Sequence, residues 1–437
     1  MINPFFDFRN RWIMCGVMLI SLLSAGRLHA QNDDKVVILD HADSLVGGEM
    51  NGEPIKELTG NVKFTQGKVT VRCRKAIQFL SSNKISLEGD VELLDSATRM
   101  VGVRGMYYSD DRIAEAFDRV MVEDANTILK ADYGKYFVRE KKAYFKNHVS
   151  VEDSGSVMTC DELTYFREPQ KSIATGNVVI KNHERTMTIT GNHFENFRKD
   201  HYSRMTEGPE FIEVDTSGGH KDTLTVRGRV MESYQDSTER LIATDSVRLL
   251  RAELQGQSGY AVFFTKLDSI VLRQSPMIWY TTDSGQQNQL SGDSIFLHLV
   301  KRKLDRIYVR GHAVALAEAD SLYPDRYNQM TGQEIVMSFR DNKILRIDVN
   351  VTATSLYFLF DGKKPNGVNK TSGDQVRITF LNGKIDKLKV MNSVEGQYYP
   401  ERLVAHKETE YNLPGFNWKG RHVKNQQENI RGEAAPK

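Results

Sequence analysis

The chain has 437 residues, enough for two or three ordinary domains or for one long repetitive one. With 40% apolar and 27% charged residues it is neither a bilayer-spanning helical protein nor a disordered chain, and its 10 prolines leave room for long uninterrupted elements. The 59 Lys+Arg nearly balance the 57 Asp+Glu, and without residues 1–30 (Arg9, Arg11, Arg27 and Asp7) the net charge is zero, so no nucleic-acid partner is expected.

Residues 1–30 read as a cleavable signal peptide. Arg9 and Arg11 form a positive start, and Trp12 to Ala25 is an apolar stretch too short to span a bilayer comfortably. Leu28-His29-Ala30 places a small residue before a cut at Gln31, and Cys15 lacks the residues of a lipoprotein cleavage site before it. The plainer alternative is an uncleaved N-terminal anchor. No second apolar run of spanning length follows, so an exported, soluble mature chain is expected, in the periplasm and associated with the outer membrane.

From there the sequence repeats every 29 residues. Val62, Val91, Val120, Val149 and Val178 hold that spacing, and two residues on stand Phe64, Leu93, Val122, Val151 and Ile180. Further columns run Val71, Met100, Leu129, Met158, Met187 and Phe79, Tyr108, Phe137, Phe166, the latter beside Tyr107, Tyr136 and Tyr165. A small or polar pair precedes each valine: Gly60-Asn61, Gly89-Asp90, Asp118-Arg119, Asn147-His148 and Gly176-Asn177. Turn-prone stretches separate the columns, at Ser81-Ser82-Asn83, Ser109-Asp110-Asp111, Asp124-Ala125-Asn126 and Glu168-Pro169-Gln170.

Within a unit the apolar spacing is two. Ile85, Leu87, Val91 and Leu93 alternate with polar neighbours, as do Val69, Val71 and Cys73, so each strand has one apolar and one wet face. Two strands of about ten residues fit one unit, and tight turns between them dictate antiparallel pairing. The glycine or Asx before each valine falls in mid-strand, where it marks a bend or bulge. A column of such bends folds the sheet along its length into an open V or flattened roll, apolar inside.

After about residue 195 the spacing loosens. Related units stand at Arg227-Gly228, Gly292-Asp293, Gly332-Gln333 and Gly373-Asp374, the last three set apart by longer loops, and a partial unit stands early at Ala42-Asp43. The expected organisation is thus a signal peptide at 1–30, regular repeats over 31–198, less regular ones over 199–395, and a polar, flexible tail over 396–437.

The run Gly60-Asn61-Val62-Lys63-Phe64-Thr65-Gln66-Gly67-Lys68-Val69-Thr70-Val71 resembles the opening of the OstA/LptA family of periplasmic lipopolysaccharide-transport proteins. Gly176-Asn177-Val178-Val179-Ile180 repeats the cue, and Lys130-Ala131-Asp132 and Cys160-Asp161-Glu162-Leu163-Thr164-Tyr165 are similar to another strand of that family. The resemblance is clearest over residues 35–200. It implies an all-β fold: a long, repetitive, open-ended antiparallel β-jellyroll, V-shaped, whose interior grips the acyl chains of lipopolysaccharide or a related acylated lipid. It further implies other β-jellyroll transport proteins joined edge to edge at either end. The residues that would line the groove are Val62, Phe64, Val71, Leu87, Val91, Leu93, Met100, Val120, Val122, Leu129, Phe145, Val149, Val151, Met158, Val178 and Ile180. The alternative is that the V closes and these side chains form ordinary core. The chain departs from the family in its greater length.

No catalytic residue, metal site or cofactor is expected. Cys73 and Cys160 occupy one column three repeats apart, roughly 29 Å at two strands per repeat, too far for a disulfide. The 11 histidines show no zinc-type spacing, and His148, at a bend, is read as a surface residue. Phosphate loops, nucleophile elbows and dinucleotide fingerprints are missing from the sequence. Two other readings compete: a parallel β-helix enzyme or surface adhesin, and an outer-membrane barrel, for which aromatic girdles are not evident.

Overall fold

A computed structural model describes residues 36–420, except 96–97, 124–125, 217–221, 252–253, 283–284, 301–302, 341–342 and 382–383. The expected signal peptide, the turn residues Asp124 and Ala125, and the end of the tail from residue 421 lie outside the described residues. The chain divides into two compact units, Met1–Glu207 and Gly208–Lys437.

In the first unit β1 (Ile38–His41) and β2 (Ser44–Met50) both pair with β3 (Glu53–Gln66), as two pieces of one strand broken at Ala42-Asp43. Then follow β4 (Val69–Phe79), β5 (Lys84–Asp95), β6 (Thr98–Tyr108), β7 (Ile113–Glu123) and β8 (Ile128–Phe137). The unit continues with β9 (Lys142–Glu152), β10 (Ser156–Phe166), β11 (Lys171–Asn182), β12 (Met187–Phe197) and β13 (Tyr202–Thr206). From β3 to β13 each strand pairs antiparallel with the next, giving the meander that two strands per repeat predicts. The turns repeat as well: the backbone N–H groups of Ser109, Val138, Arg167 and Arg198 donate to the carbonyls of Asn83, Arg112, Lys141 and Gln170.

Each mid-strand pair forms a bulge. In β5 the residues 89–91 stand against only 73–74 of β4, because register passes from Lys75↔Glu88 to Arg72↔Glu92. The extra residue is accommodated by two consecutive left-handed conformations, Gly89 at φ 75° and Asp90 at 51°. The same pairing of left-handed residues recurs at Gly60-Asn61, Asp118-Arg119, Asn147-His148 and Gly176-Asn177. Asx and glycine tolerate this region, which explains the composition of the column. The aligned bulges form one crease, on either side of which the inward positions remain apolar.

The second unit holds β14 (Glu210–Asp215), β15 (Asp222–Arg227), β16 (Val230–Tyr234), β17 (Arg240–Arg251), β18 (Leu254–Phe264) and β19 (Ser269–Arg273). Next come β20 (Met277–Thr281), β21 (Gln287–Ser291), β22 (Ser294–Val300), β23 (Lys303–Glu318) and β24 (Tyr327–Arg340). The last are β25 (Lys343–Asp361), β26 (Lys364–Leu381), β27 (Lys384–Met391) and β28 (Glu395–Pro400). Bulge pairs continue at Asp245-Ser246, Gly311-His312 and Val351-Thr352. The spacing of about 40 residues between Gly292, Gly332 and Gly373 comes from longer strands (β23 to β26 run 14 to 19 residues) and, between the first two, also from the longer loop expected, residues 319–326. Each of these glycines lies under a valine of the next strand: an added Cβ would stand 2.7–2.8 Å from Val309, Val349 or Val390 Cγ1.

The polar tail expected from residue 396 is instead held as far as residue 420. After β28, α1 (Glu401–Val404) and the following chain lie on the outward face of β24–β26, where Leu356, Phe358, Val368, Val404 and Leu413 form a cluster. Arg326, 3% exposed, donates to both Glu401 oxygens (2.6 and 3.0 Å) and to Glu408 (2.9 Å). The rings of Phe416 and Trp418 stack on Tyr327. Composition predicted a tail because the segment is polar; its few apolar residues land on a sheet face that is itself apolar, which local sequence does not show.

Every strand pairing described above is antiparallel, and this removes the parallel β-helix. No helix among the described residues is long and apolar enough to cross a membrane.

Candidate functional site

The site is the apolar interior of the first unit. Alternation aims one side of each strand inward, and the crease turns the two halves of every strand toward one another. Of the groove residues expected from the sequence, Val62, Phe64, Val71, Leu87, Val91, Leu93, Met100 and Val120 are buried. So are Leu129, Phe145, Val149, Met158, Val178 and Ile180, whereas Val122 and Val151 are half-buried. The first-half columns at the same period, Leu58, Ala116 and Ala174 with Ala76 and Leu163, complete the lining. They were passed over because alanine and a single leucine carry little weight when apolar columns are counted.

Between β4 and β9 this interior is filled by its own side chains. A cavity bounded by Val71, Leu87, Val91, Leu93, Met100 and Tyr107 measures only ≈ 10 Å³, about one water-sized sphere. At Gly134 an added Cβ would stand 2.8 Å from Met100 Cε, 3.0 Å from Val120 Cγ1 and 3.2 Å from Phe145 Cδ1. Met100 thus reaches over Gly134 to the region of Phe145, using the flexibility of an unbranched thioether. Around Met100 and Gly134 the interior is closely packed.

Opposite the crease, the mouth is fastened by polar groups. The inward columns of β3 and β5 end in Gln66 and Asp95, both largely buried. The Tyr107 hydroxyl donates to Gln66 Oε1, and the Tyr136 hydroxyl donates to Asp95 Oδ2 at 2.7 Å; each pair is separated by 41 residues. Arg167 Nη1 adds a 3.2 Å contact to the same Asp95 oxygen. Burial pushes the Tyr107 phenol up to about 12, and burial with the Asp95 carboxylate does the same for Tyr136, so both are firm donors at neutral pH. The sequence reading noticed the tyrosines but missed their partners. The signal was present as a polar column at Gln66, Asp95, Asp124, Asp153 and Asn182, at the same 29-residue spacing.

Cys73 and Cys160 are free and buried, in β4 and β10, and burial pushes their thiols up to about 11 and about 12, so neither is a reactive thiolate. Among the described residues no three His, Cys, Asp or Glu side chains are grouped to hold a metal. His148 lies on the crease with its side chain 87% exposed, and Asp132, 2.7 Å away, raises its pKa.

Residues 34–190 match the family model described as OstA-like protein. No curated protein matches the chain. Among solved structures, LptH of Pseudomonas aeruginosa, described as the LptA homologous periplasmic component of the lipopolysaccharide transport device, is similar at 13% identity. The match covers 34% of this chain and 95% of LptH, with a TM-score of 0.26. The matched family segment coincides with the regular repeats of the first unit: over residues 34–190 this chain is OstA-like.

Proposed function

We propose that the chain is a periplasmic, non-catalytic lipid-binding bridge protein. It would carry lipopolysaccharide or a related acylated lipid toward the outer membrane along its apolar interior. The observation that carries this reading is the continuous inward apolar face of an OstA-like segment, β3 to β12. Acyl chains need only apolar lining, and burying each methylene contributes about 0.8 kcal/mol. The free edges support the edge-to-edge partners. In β1 and β2, Ile38, Leu45 and Val46 are more than half exposed, and in β27 Ile385 and Leu388 are exposed, on strand edges that pair with no other strand among the described residues and that a further β protein can extend.

The test is photo-crosslinking from p-benzoylphenylalanine placed at Leu129 or Met158, with Arg72, which points outward, as control. Lipopolysaccharide adducts at the two interior positions and not at Arg72 support the reading. Adducts at all three, or at none, refute it.

A further inference from the structure

The first unit has a hinge on one side and fasteners on the other. Along the crease, bulge pairs with two left-handed residues interrupt the ladder in every second strand, at Gly60-Asn61, Gly89-Asp90, Asp118-Arg119, Asn147-His148 and Gly176-Asn177. There the strands are joined by fewer ladder bonds and bend most readily. Along the mouth, the facing halves are held at strand ends by the Tyr107–Gln66 and Tyr136–Asp95 hydrogen bonds, with Arg167 on Asp95. The repeat places Asp124 and Tyr165 at the same spacing, Asp124 itself being outside the described residues. Hydrogen bonds between polar groups exchange for water when broken, whereas interdigitated apolar side chains do not.

We infer that this mouth is a seam that opens sideways about the crease, admitting acyl chains laterally rather than by threading from the ends. The cargo is that of the proposed function, on which the inference rests; the seam itself is a property of the chain alone. Beside Met100 and Tyr107 the ≈ 10 Å³ of free space accommodates no alkyl chain, so an acyl chain lodged there would require an opening. The ladder also has a missing rung. Asn196 pairs with Ser172 as Tyr136 pairs with Ala114, so it occupies the tyrosine position of the last repeat. Its side chain is too short to serve as Tyr136 does. The matching carboxylate, Asp153, is 7% exposed and its Oδ2 is buried without a hydrogen-bond partner. The seam is therefore weakest at β9–β12, where opening would begin.

Cys73 and Cys160 report opening without any cargo, because N-ethylmaleimide reaches these interior thiols only when the roll parts. In the full mature chain, Tyr107→Phe with Tyr136→Phe keeps both rings and removes both donors. Labelling of Cys73 should accelerate about 10-fold or more, the effect of losing two hydrogen bonds, one of them to a carboxylate. Asn196→Tyr, which supplies a donor toward Asp153, should slow labelling of Cys160 several-fold. Val178→Ala is the control for loss of stability at a position remote from the seam. If it accelerates Cys73 labelling as much as the double variant does, or if the double variant leaves the rate unchanged, the seam is refuted. The same proteins carrying the Leu129 photo-crosslinker then test the route. Faster adduct formation with lipopolysaccharide in the double variant supports lateral admission, and an unchanged rate alongside faster labelling overturns it in favour of the ends. Faster labelling with no adduct in any variant sinks the lipid-carrier reading and leaves the seam standing.

Discussion

Gly134→Ala asks how tightly the interior of the first unit is packed. Gly134 does not have a positive φ, so its backbone accepts alanine, and in an open groove the substitution would stabilise β8 by about 0.5–1 kcal/mol through the lost freedom of glycine. Here the new methyl would meet Met100 Cε at 2.8 Å, Val120 Cγ1 at 3.0 Å and Phe145 Cδ1 at 3.2 Å. Overfilling of this kind costs about 1–3 kcal/mol, and the flexible Met100 tip places the cost at the lower end. The net expectation is a loss of about 0.5–2 kcal/mol. Met100→Ala alone should cost about 2–5 kcal/mol through the cavity it leaves. In the double variant the added methyl occupies part of that cavity, so the two changes should couple by about 1 kcal/mol or more. The assay must read the first unit by itself, because a chain of two units need not unfold in one step. Hydrogen exchange of the β5–β8 amides does so. A stabilising Gly134→Ala that adds independently to Met100→Ala would show that space remains beside Phe145 and that the interior is an open groove.

Val351 holds a left-handed conformation at φ 61° and is 58% exposed, so Val351→Gly should stabilise the second unit by about 0.5–1 kcal/mol, measured by urea unfolding followed through Trp279 and Trp418. Gly176→Ala should destabilise the first unit by about 1–2 kcal/mol in hydrogen exchange, since its Cβ would fall 2.3 Å from Asp161 Oδ2, which accepts from Asn177 Nδ2, and φ is 75°. His148 should titrate above an ordinary histidine by NMR and fall back in Asp132→Asn; whatever stability the protonated pair adds is complete below the unfolded pKa and lost as pH rises through the folded one. Arg326→Ala leaves Glu401 and Glu408 facing each other without their shared cation, and should cost about 3 kcal/mol and expose residues 395–420 to limited proteolysis; unchanged cleavage would show that the aromatic contacts alone hold the segment.

Much of the first unit was legible because a repeat writes the same local decision several times. The valine column set the register, Gly89-Asp90 and its equivalents set the crease, and alternation set which face turns inward. The cysteine column followed from the same register, and both thiols are buried and unpaired. Legibility failed where the decisive neighbour is remote. Residues 396–420 read as a tail because nothing local demands a partner, yet Arg326 and Gln329 lie some eighty residues away and receive Glu401, Glu408 and Leu413. Among the groove residues, Val122 and Val151 fell short of full burial, because periodicity assigns a side to a side chain but not the depth of what covers it.

The sequence by itself determined the antiparallel roll, its register and its crease, since these depend on side-chain alternation and on residues that accept a left-handed backbone. Whether the V stands open or shut was not written there. That depends on the angle at the crease, and so on contacts between halves of the sheet that lie three strands and 41 residues apart, Tyr107 with Gln66 and Tyr136 with Asp95. The tertiary structure brings those halves together and joins them by these hydrogen bonds along one edge.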